Sequence, residues 1–322
     1  MKILVAGANG FVGINQTLYL LKEGHEVVMT FRDKLTEDNE KLIQPYKDRV
    51  EMVVGDLLDA DLYKKLDAYH VDGIINAAIY TSTSKDELEY FIPICRVNMM
   101  TNINLMEYAI RHQIKRYVYI SSSGVYGSAS DIDDIVNENS LLDLPDAYDR
   151  TKVASEMLVT RMAELTGMQA VSARIAAPYG PYERVTGGRV FMSAPYKMVH
   201  MAVNSEKALI YAKDYKRDWT YIEDIVVGIY GLLTSEHLKH SIYNISSSRN
   251  ASLKTMAEAV KIACPSFLYE FVDRIEESNI DADINDMRGA LSTEWLSEDT
   301  GYVPKFDIYA GIKAYYQEFS DK

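Results

Sequence analysis

Residues 1–13 read MKILVAGANGFVG, a stretch in which a short apolar run meets three glycines. Residues 2–6 are typical of a buried strand, and residues 11–21 carry apolar side chains at helical spacing. Strand, glycine turn and helix in that order form the context that a dinucleotide-binding fingerprint requires. The stretch therefore predicts a phosphate-binding loop at the first strand–helix junction, the alternative being a purely structural turn.

The three glycines, Gly7, Gly10 and Gly13, each have a predicted role in such a loop. Gly7 permits the tight turn, Gly10 lets the backbone approach a pyrophosphate, and Gly13 lets the helix pack against the strand. The start of the helix then offers N–H groups and a positive dipole end to the phosphates. The spacing is GxxGxxG and not GxGxxG, so the position at the first strand–helix junction strengthens the prediction.

Further strand patterns follow along the chain and alternate with helical patterns such as residues 102–110. The predicted strands cover residues 26–31, 49–54, 73–78, 116–121 and 170–175. Strands that alternate with helices imply a parallel sheet covered on both faces. We therefore predict an α/β fold with a doubly wound, Rossmann-like sheet, and a ligand at the carboxyl ends of its strands.

The net charge, the cysteines and the lengths of the apolar runs exclude several classes of function. The chain has 322 residues and a net charge of −13, which disfavours binding to nucleic acid or an anionic membrane surface. Cys95 and Cys264 lie far apart, without metal-ligand spacing, and are interpreted as core thiols in a reducing compartment. No apolar run approaches the ~20 residues that a membrane span needs, and no signal peptide is evident. We expect a cytoplasmic protein without a metal site.

The end of the second predicted strand bears on the choice of dinucleotide. An acidic side chain there would bind the ribose 2′-hydroxyl of NAD, but the position holds Phe31 and is followed by Arg32. An arginine suits a 2′-phosphate, so NADP(H) is favoured over NAD(H). In the alternative, Arg32 is a solvated surface residue and Asp33 binds the ribose. Asp56, after the third strand, is placed to accept a hydrogen bond from the adenine amino group.

Two stretches suggest chemistry: YISSSGVYG at 119–127 and AYDRTKVASE at 147–156. Tyr148 and Lys152 are four residues apart and would share one face of a helix. A phenol is a poor base at neutral pH, and a neighbouring ammonium lowers its pKa. The tyrosine could then exchange a proton with a substrate hydroxyl while a hydride moves to or from a nicotinamide.

The chain resembles the extended short-chain dehydrogenase/reductases, a family of NAD(P)-dependent sugar epimerases, dehydratases and reductases. The resemblance covers nearly the whole length. The motifs that carry it are GANGFVG at 7–13, GDL at 55–57, NAA at 76–78, VN at 97–98, SSSGVYG at 121–127, YDRTK at 148–152, YGP at 179–181, RDWTYIED at 217–224, YNI at 243–245 and GYVP at 301–304.

The resemblance implies a role for each matching residue. It makes Tyr148 the acid/base, places the substrate-orienting hydroxyl on Ser122 with Ser123 as the alternative, and matches Asn98 to an asparagine that helps form the site. Tyr179 would lie in a loop that contacts substrate and nicotinamide. The implied cofactor-binding residues are Gly7, Asn9, Gly10, Phe11, Val12, Gly13, Arg32, Asp56, Leu57, Ala77, Ala78 and Lys152.

The substrate is less well defined. Many enzymes that resemble this chain hold the diphosphate of a nucleotide sugar with two arginines. Arg217 and Arg288 are the candidates here. In the alternative, both arginines form ordinary surface salt bridges. Ala177 stands where the usual asparagine would be, so an unactivated sugar, a sugar acid or another small alcohol stays open. Thr81 and Ser82 are predicted to touch substrate hydroxyls, or else to cap a helix.

The resemblance also narrows the reaction. A 4,6-dehydratase would carry an Asp-Glu pair where this chain has Ser123-Gly124, and Cys95 is not placed like the cysteine of a 3,5-epimerase/reductase. What remains is an alcohol/ketone redox step, either one-way in a reductase or internal in a 4-epimerase. Arg32 favours the reductase. A non-catalytic NADP-sensing protein is the alternative of a different class, although such proteins typically lose the tyrosine or the lysine.

We expect two lobes, a dinucleotide-binding domain of residues 1–175 plus about 217–245 and a substrate lobe of residues 176–216 plus 246–322. Proteins that resemble this chain commonly dimerise through a four-helix bundle, so a homodimer is predicted. Apolar side chains of the two helices concerned are candidates for the interface, unless they bury against the sheet. They are Ile103, Met106, Met157 and Met162.

Overall fold

The computed structural model describes residues 1–81, 87–128, 132, 134–186, 192–280, 282 and 287–320. Its strands are β1 (Lys2–Ala6), β2 (Glu26–Phe31), β3 (Val50–Val54), β4 (Gly73–Asn76), β5 (Arg116–Ser122), β6 (Ile135–Val136), β7 (Gln169–Ile175), β8 (Ala177–Tyr179), β9 (Lys207–Ile210), β10 (Lys216–Arg217), β11 (Trp219–Tyr221), β12 (Ile242–Ile245), β13 (Ala251–Ser252), β14 (Leu268–Phe271) and β15 (Ala290–Leu291).

The helices alternate with these strands through the first half of the chain. They are α1 (Phe11–Lys22), α2 (Glu37–Ile43), α3 (Ala60–Leu66), α4 (Glu87–Cys95), α5 (Thr101–Arg111), α6 (Ala147–Thr166), α7 (Ala194–Val203), α8 (Ile222–Thr234), α9 (Leu253–Ala263), α10 (Glu294–Thr300) and α11 (Ile308–Ser320). A π-helical turn, Arg96–Met100, joins α4 to α5.

Seven parallel strands form the central sheet in the order β12-β7-β5-β4-β1-β2-β3. This order confirms the predicted doubly wound, Rossmann-like sheet, and all six predicted strands belong to it. β4 ends at Asn76, two residues earlier than predicted, because the Asn76 side chain accepts a hydrogen bond from the Ala78 N–H and turns the chain. The seventh strand, β12, was not among the predicted strands.

The sheet buries both faces, as β1 illustrates. Ile3 and Val5 pack into one hydrophobic core, which also receives side chains from α1 and α8. Leu4 and Ala6, which point to the opposite face, pack into a second core with side chains from α3, α5 and α6. This two-sided burial explains why β1 reads as a continuous apolar run.

The remaining chain contributes short strand pairs and a helical layer. β8 pairs with β11, β9 with β14, β10 with β13, and β6 with β15. α7, α9 and α11 pack against one another. The division into two lobes at the predicted boundaries stays a prediction. No helix in the described part of the chain is long and apolar enough to cross a membrane.

One predicted interface residue does not face outward. Met162 is buried in the core beneath the sheet with Leu105 and Tyr108, because it lies on the inner face of α6. Met157, on the same helix, is exposed. Met157 is therefore available for a helical interface, as predicted. The prediction is wrong for Met162, which is buried against the sheet.

Candidate active site

The glycine loop between β1 and α1 has the close contacts that its glycines suggest. Gly7 has φ of +76°, and a Cβ there would lie 2.7 Å from the Cα of Ala78. A Cβ on Gly13 would collide with the carbonyl oxygen of Gly7. A Cβ on Gly10, in contrast, would meet only that oxygen, at 3.2 Å, and would otherwise fill open space above the loop. The loop thus leaves room for a phosphate group beside the start of α1, and these residues fit a dinucleotide.

The ends of β2 and β3 border the same loop. Phe31 is buried in the core, whereas Arg32 and Asp33 are exposed and pair with each other at 3.1 Å. Asp56 is exposed, and one of its carboxylate oxygens accepts a hydrogen bond from the Leu58 N–H at 2.9 Å. The carbonyl oxygen of Leu57 is held by the side chains of Tyr63 and Asn104. The two charged side chains that directly follow β2, Arg32 and Asp33, therefore face solvent near the expected ribose position.

A cleft of about 400 Å³ opens at the carboxyl ends of the strands. It brings together most of the predicted catalytic and substrate residues with part of the glycine-loop helix. The predicted residues that line it are Val12, Ala77, Thr81, Ser122, Ser123, Tyr148, Lys152 and Arg217. Ser82 lies outside the described residues.

Lys152 lies on α6 one turn beyond Tyr148, with its Nζ 5.6 Å from the centroid of the Tyr148 ring. The Lys152 side chain is almost completely buried, and Nζ donates a 2.6 Å hydrogen bond to the carbonyl oxygen of Ile120 at the end of β5. Burial lowers the pKa of Lys152 from 10.5 to about 7, against the opposing effect of the Glu156 and Asp149 carboxylates. The shared helix face predicted for Tyr148 and Lys152 is present in the structure.

The end of β5 turns sharply at the cleft. The Ser122 hydroxyl oxygen accepts a hydrogen bond from the Gly124 N–H at 3.0 Å and caps a short 3-10 turn, Ser123–Tyr126. The carbonyl oxygen of Ser123 accepts a 2.6 Å hydrogen bond from Arg288. Both serines line the cleft, so either hydroxyl could reach a bound substrate, and the choice of Ser122 stays a prediction.

Behind the cleft lies a buried ion pair that the sequence did not suggest. Arg174 on β7 binds both carboxylate oxygens of Glu156 on α6, at 2.9 and 2.7 Å, and the Ser121 hydroxyl donates to the same carboxylate. Burial opposes the Arg174 charge, but the Glu156 carboxylate outweighs it, and the pKa of Arg174 is raised. The pair ties α6, β5 and β7 together directly beneath Lys152.

Asn98 does not line the cleft. Its side chain lies in the π-helical turn, is almost completely buried, and binds both backbone groups of Tyr80, at 2.9 and 3.2 Å. It also donates to the Thr151 hydroxyl oxygen at 3.2 Å. Asn98 thus joins the segment after β4 to the start of α6, and its predicted part in the catalytic set stays a prediction.

The substrate side of the cleft includes residues that sequence reasoning missed. Tyr215, Arg217 and Trp219 all line the cleft, and Arg217 donates to the Tyr215 hydroxyl at 3.2 Å. They stand at every second position, which is the alternation of an extended chain. That alternation is a signal visible in the sequence, although only Arg217, the middle residue, is among the predicted substrate residues. Met192 and Ser193, at the start of α7, also line the cleft.

Two predicted substrate residues lie elsewhere. Tyr179 is fully buried, with its ring 5.6 Å from that of Tyr221, and it does not line the cleft, so its predicted contact with substrate stays a prediction. Arg288 is buried against the carbonyl oxygen of Ser123 and is absent from the cleft lining. Packing of the C-terminal segments determines both positions.

The described residues contain no cluster of three or more His, Cys, Asp or Glu side chains that could hold a metal ion. Cys95 and Cys264 are free thiols, and only Cys264 is buried.

The Rossmann-like sheet and the cleft with Tyr148 and Lys152 are typical of dinucleotide-dependent enzymes. Comparison with known sequences assigns the family. The model of the NAD dependent epimerase/dehydratase family matches residues 3–246, and the chain belongs to this family. The assignment confirms the resemblance to extended short-chain dehydrogenase/reductases. It also confirms that the chain is an enzyme.

Individual relatives agree with this assignment. The chain is 30% identical to an uncharacterized UDP-glucose epimerase, YtcB, of Bacillus subtilis, over 90% of this chain and 92% of that one. It is 25% identical to a dTDP-glucose 4,6-dehydratase of Mycolicibacterium smegmatis, over 97% and 91%. Its fold matches the UDP-glucuronic acid 4-epimerase of Bacillus cereus, solved with UDP-glucuronic acid and NAD, with a TM-score of 0.78 and 23% identity over 100% and 99%.

Proposed function

We propose that the protein is a nucleotide-sugar epimerase that oxidises a secondary alcohol of its substrate, turns the ketone and reduces it again, with Tyr148 as acid/base. One observation carries the proposal: Tyr148, Lys152 and Ser122 line the same cleft as Val12 at the start of the glycine-loop helix. A proton-transfer group, its cationic neighbour and a hydroxyl thus lie beside the expected dinucleotide site.

Each side chain has a defined task in this proposal. Tyr148 removes the proton of the substrate hydroxyl and later returns it. Protonated Lys152 favours the phenolate form of that tyrosine by its charge. Ser122 holds the reacting oxygen. The bound nicotinamide supplies hydride chemistry, and the glycine loop with Asp56, Ala77 and Ala78 binds the dinucleotide.

A nucleotide diphosphate sugar fits the polar end of the cleft. Ser193 caps α7, and Ala194 begins it, so the positive end of a ten-residue helix borders the cleft. Arg217 lines the same cleft and can pair with phosphate. Relatives are named as a UDP-glucose epimerase, itself uncharacterized, and as a dTDP-glucose 4,6-dehydratase, which favours this substrate class over an unactivated sugar. Ala177, which stands where related enzymes usually have an asparagine, also lines the cleft. Its methyl group cannot form the hydrogen bonds that an asparagine amide would offer to the substrate.

A second candidate is a one-way reductase that uses NADP(H). The observation that favours it is Arg32, whose side chain is 61% exposed at the end of β2 and is available to a 2′-phosphate. Its pairing with Asp33 leaves the alternative that Asp33 binds the ribose of NAD. We retain NADP(H) as the preferred dinucleotide of this candidate.

One titration separates the candidates. NADH and NADPH are added to the purified protein with reduced-nicotinamide fluorescence as the readout, before and after UDP-, dTDP-, GDP- and CDP-sugars. Tight NAD(H) binding and interconversion of two 4-epimers support the epimerase. Tight NADPH binding, and consumption of NADPH when a 4-keto nucleotide sugar is supplied as the hydride acceptor, support the reductase. A protein that binds a dinucleotide but responds to no nucleotide sugar contradicts both.

We also propose a homodimer formed through α4, the π-helical turn and α6. These segments carry exposed apolar side chains on the surface away from the sheet: Phe91, Ile92, Met100, Met157, Leu158 and Leu165. Because an exposed apolar surface of this kind is costly in water, a second copy of the chain is the expected partner. The bundle expected from the sequence pairs the helices of residues 102–110 and 153–162; in the dimer proposed here, α4 and the π-helical turn lie beside α6 instead.

A further inference from the structure

Residues 180–184, which follow β8 and are called the strap here, cross the glycine loop. The Asn15 side chain on α1 donates to the carbonyl oxygen of Pro181 at 3.0 Å. Arg184 Nη2 donates to the backbone oxygen of Asn9 at 2.5 Å and to its side-chain oxygen at 2.9 Å. A segment that sequence analysis assigned to the substrate lobe therefore reaches the loop expected to bind the dinucleotide phosphates.

The strap has a conformation that its surroundings fix. Gly180 has φ of +146°, and a Cβ there would lie 2.6 Å from a methyl group of Ile222. Tyr182 has φ of +68°, a value that non-glycine residues rarely adopt and that surrounding contacts must stabilise. The buried Glu183 carboxylate accepts hydrogen bonds from the N–H and the hydroxyl of Ser193, at 2.9 and 2.7 Å. The position of Arg184 is thus set by packing and hydrogen bonds on both sides.

Among the residues that the structure describes, the Arg184 charge has no carboxylate partner. Its guanidinium is half-buried, and burial lowers its pKa, with Asp38 as the only acidic group that opposes this effect. Within the described part of the chain, no carboxylate lies within ion-pair distance of it, and its Nε and Nη1 atoms donate to no protein atom. A half-buried cation without a described counter-charge, beside a loop that suits phosphate, favours the binding of an anion.

We propose that Arg184 binds a phosphate of the dinucleotide, so that the cofactor is held between the glycine loop and the strap. The inference rests on the dinucleotide site of the proposed function and adds a phosphate ligand from the opposite side of that site. The phosphate is either part of the pyrophosphate or the 2′-phosphate of NADP, and both present the same chemistry to a guanidinium.

The test compares Arg184→Met, which keeps an aliphatic stem, with Arg274→Met, which removes an exposed arginine paired with Glu277. Affinities for NADH, NADPH, ADP and adenosine are measured by fluorescence and calorimetry, and circular dichroism verifies folding. Arg184→Met should weaken NADH and ADP binding by about 10- to 100-fold, as expected for loss of a charge-assisted hydrogen bond, with adenosine affinity unchanged. Loss confined to NADPH assigns the contact to the 2′-phosphate. Arg274→Met should leave all four affinities unchanged.

Two results would overturn the inference. One is wild-type affinity of Arg184→Met for NADH and NADPH; the other is an equal loss of adenosine affinity, which would show that Arg184 only shapes the loop. If Arg184→Met does not fold, Arg184→Gln is measured with the same expectations. A wild-type protein that binds no dinucleotide contradicts the proposed function itself, which separates that failure from this one.

Discussion

Lys152 shows how a single buried charge connects stability to chemistry. The folded protein holds the Lys152 ammonium beside Tyr148 at the expense of its hydration, and its pKa falls to about 7. Within the described part of the chain, Lys152 Nζ donates a hydrogen bond only to the Ile120 carbonyl oxygen. The buried ammonium therefore costs free energy of folding, since each pKa unit of depression corresponds to about 1.4 kcal/mol.

Lys152→Met is expected to stabilise the protein at low pH. The folded pKa lies below the unfolded value of 10.5, so the unfolded chain binds more protons between about pH 7 and 10.5, and stability rises with pH across that window. The Lys152→Met variant does not have to bury a protonated ammonium group. Its melting temperature should therefore exceed that of the wild type at pH 6, and the difference should shrink as the pH approaches 10.

The control for this prediction is Lys254→Met, which removes an exposed lysine. Scanning calorimetry at several pH values measures both variants against the wild type. A Lys152→Met difference that stays constant from pH 6 to 10 would mean that the buried ammonium does not titrate as described.

At the residue scale, the sequence predicts those contacts that depend only on the spacing of residues within one helix. Tyr148 and Lys152 share a helix face because they are four positions apart, whatever the rest of the chain does. Tyr179 and Arg288 could not be placed in this way. Their side chains are buried by contacts with Tyr221 and with the β5 turn, which distant segments of the chain bring together.

The helix α6 carries the proposed catalytic pair on one turn and the Glu156 carboxylate on the next. Glu156→Gln should lower the free energy of unfolding by about 3–5 kcal/mol, because it leaves the buried Arg174 charge without its partner. Glu164→Gln is the matched control on the same helix, since it breaks the exposed pair with Arg161 and should cost less than about 1 kcal/mol. Urea unfolding measures both, and equal effects would contradict the structural role of the buried pair.

The glycine loop allows a second comparison at the scale of an element. Gly13→Ala should destabilise the fold and abolish dinucleotide binding, because its Cβ would collide with the Gly7 carbonyl oxygen inside the α1 packing. Gly10→Ala should fold normally and weaken dinucleotide binding, because its Cβ enters the space above the loop. Thermal unfolding and NADH titration test the pair. Normal cofactor affinity in both variants would exclude this loop as the phosphate site.

Element boundaries were harder to predict than the elements themselves. The six predicted strands exist because their apolar runs are long enough to be recognised and alternate with helices. The seventh strand, β12, has only four residues, and its place beside β7 depends on α8 returning the chain to the sheet edge. The early end of β4 follows from one side-chain hydrogen bond at Asn76, which no periodicity reveals.

At the scale of the whole molecule, the exposed apolar side chains of α6 predict self-association. Met157→Glu should convert the proposed homodimer to a monomer, because it places a charge in the centre of the apolar surface. Ile262→Glu is the control, since Ile262 is equally exposed on α9, away from that surface. Sedimentation velocity distinguishes the two species. A wild-type protein that sediments as a monomer at micromolar concentration would contradict the proposed interface.

In the proposed nucleotide-sugar epimerase, Tyr148 exchanges a proton with the substrate hydroxyl. The most direct test compares the turnover of 4-epimer pairs by the wild type and by Tyr148→Phe. UDP- and dTDP-hexoses are incubated with NAD⁺ or NADP⁺ and the enzyme, and the epimers are separated by chromatography. We predict that the wild type interconverts at least one pair, and that Tyr148→Phe is slower by about 10²- to 10⁴-fold with unchanged cofactor affinity. Turnover by Tyr148→Phe at the wild-type rate would contradict the account.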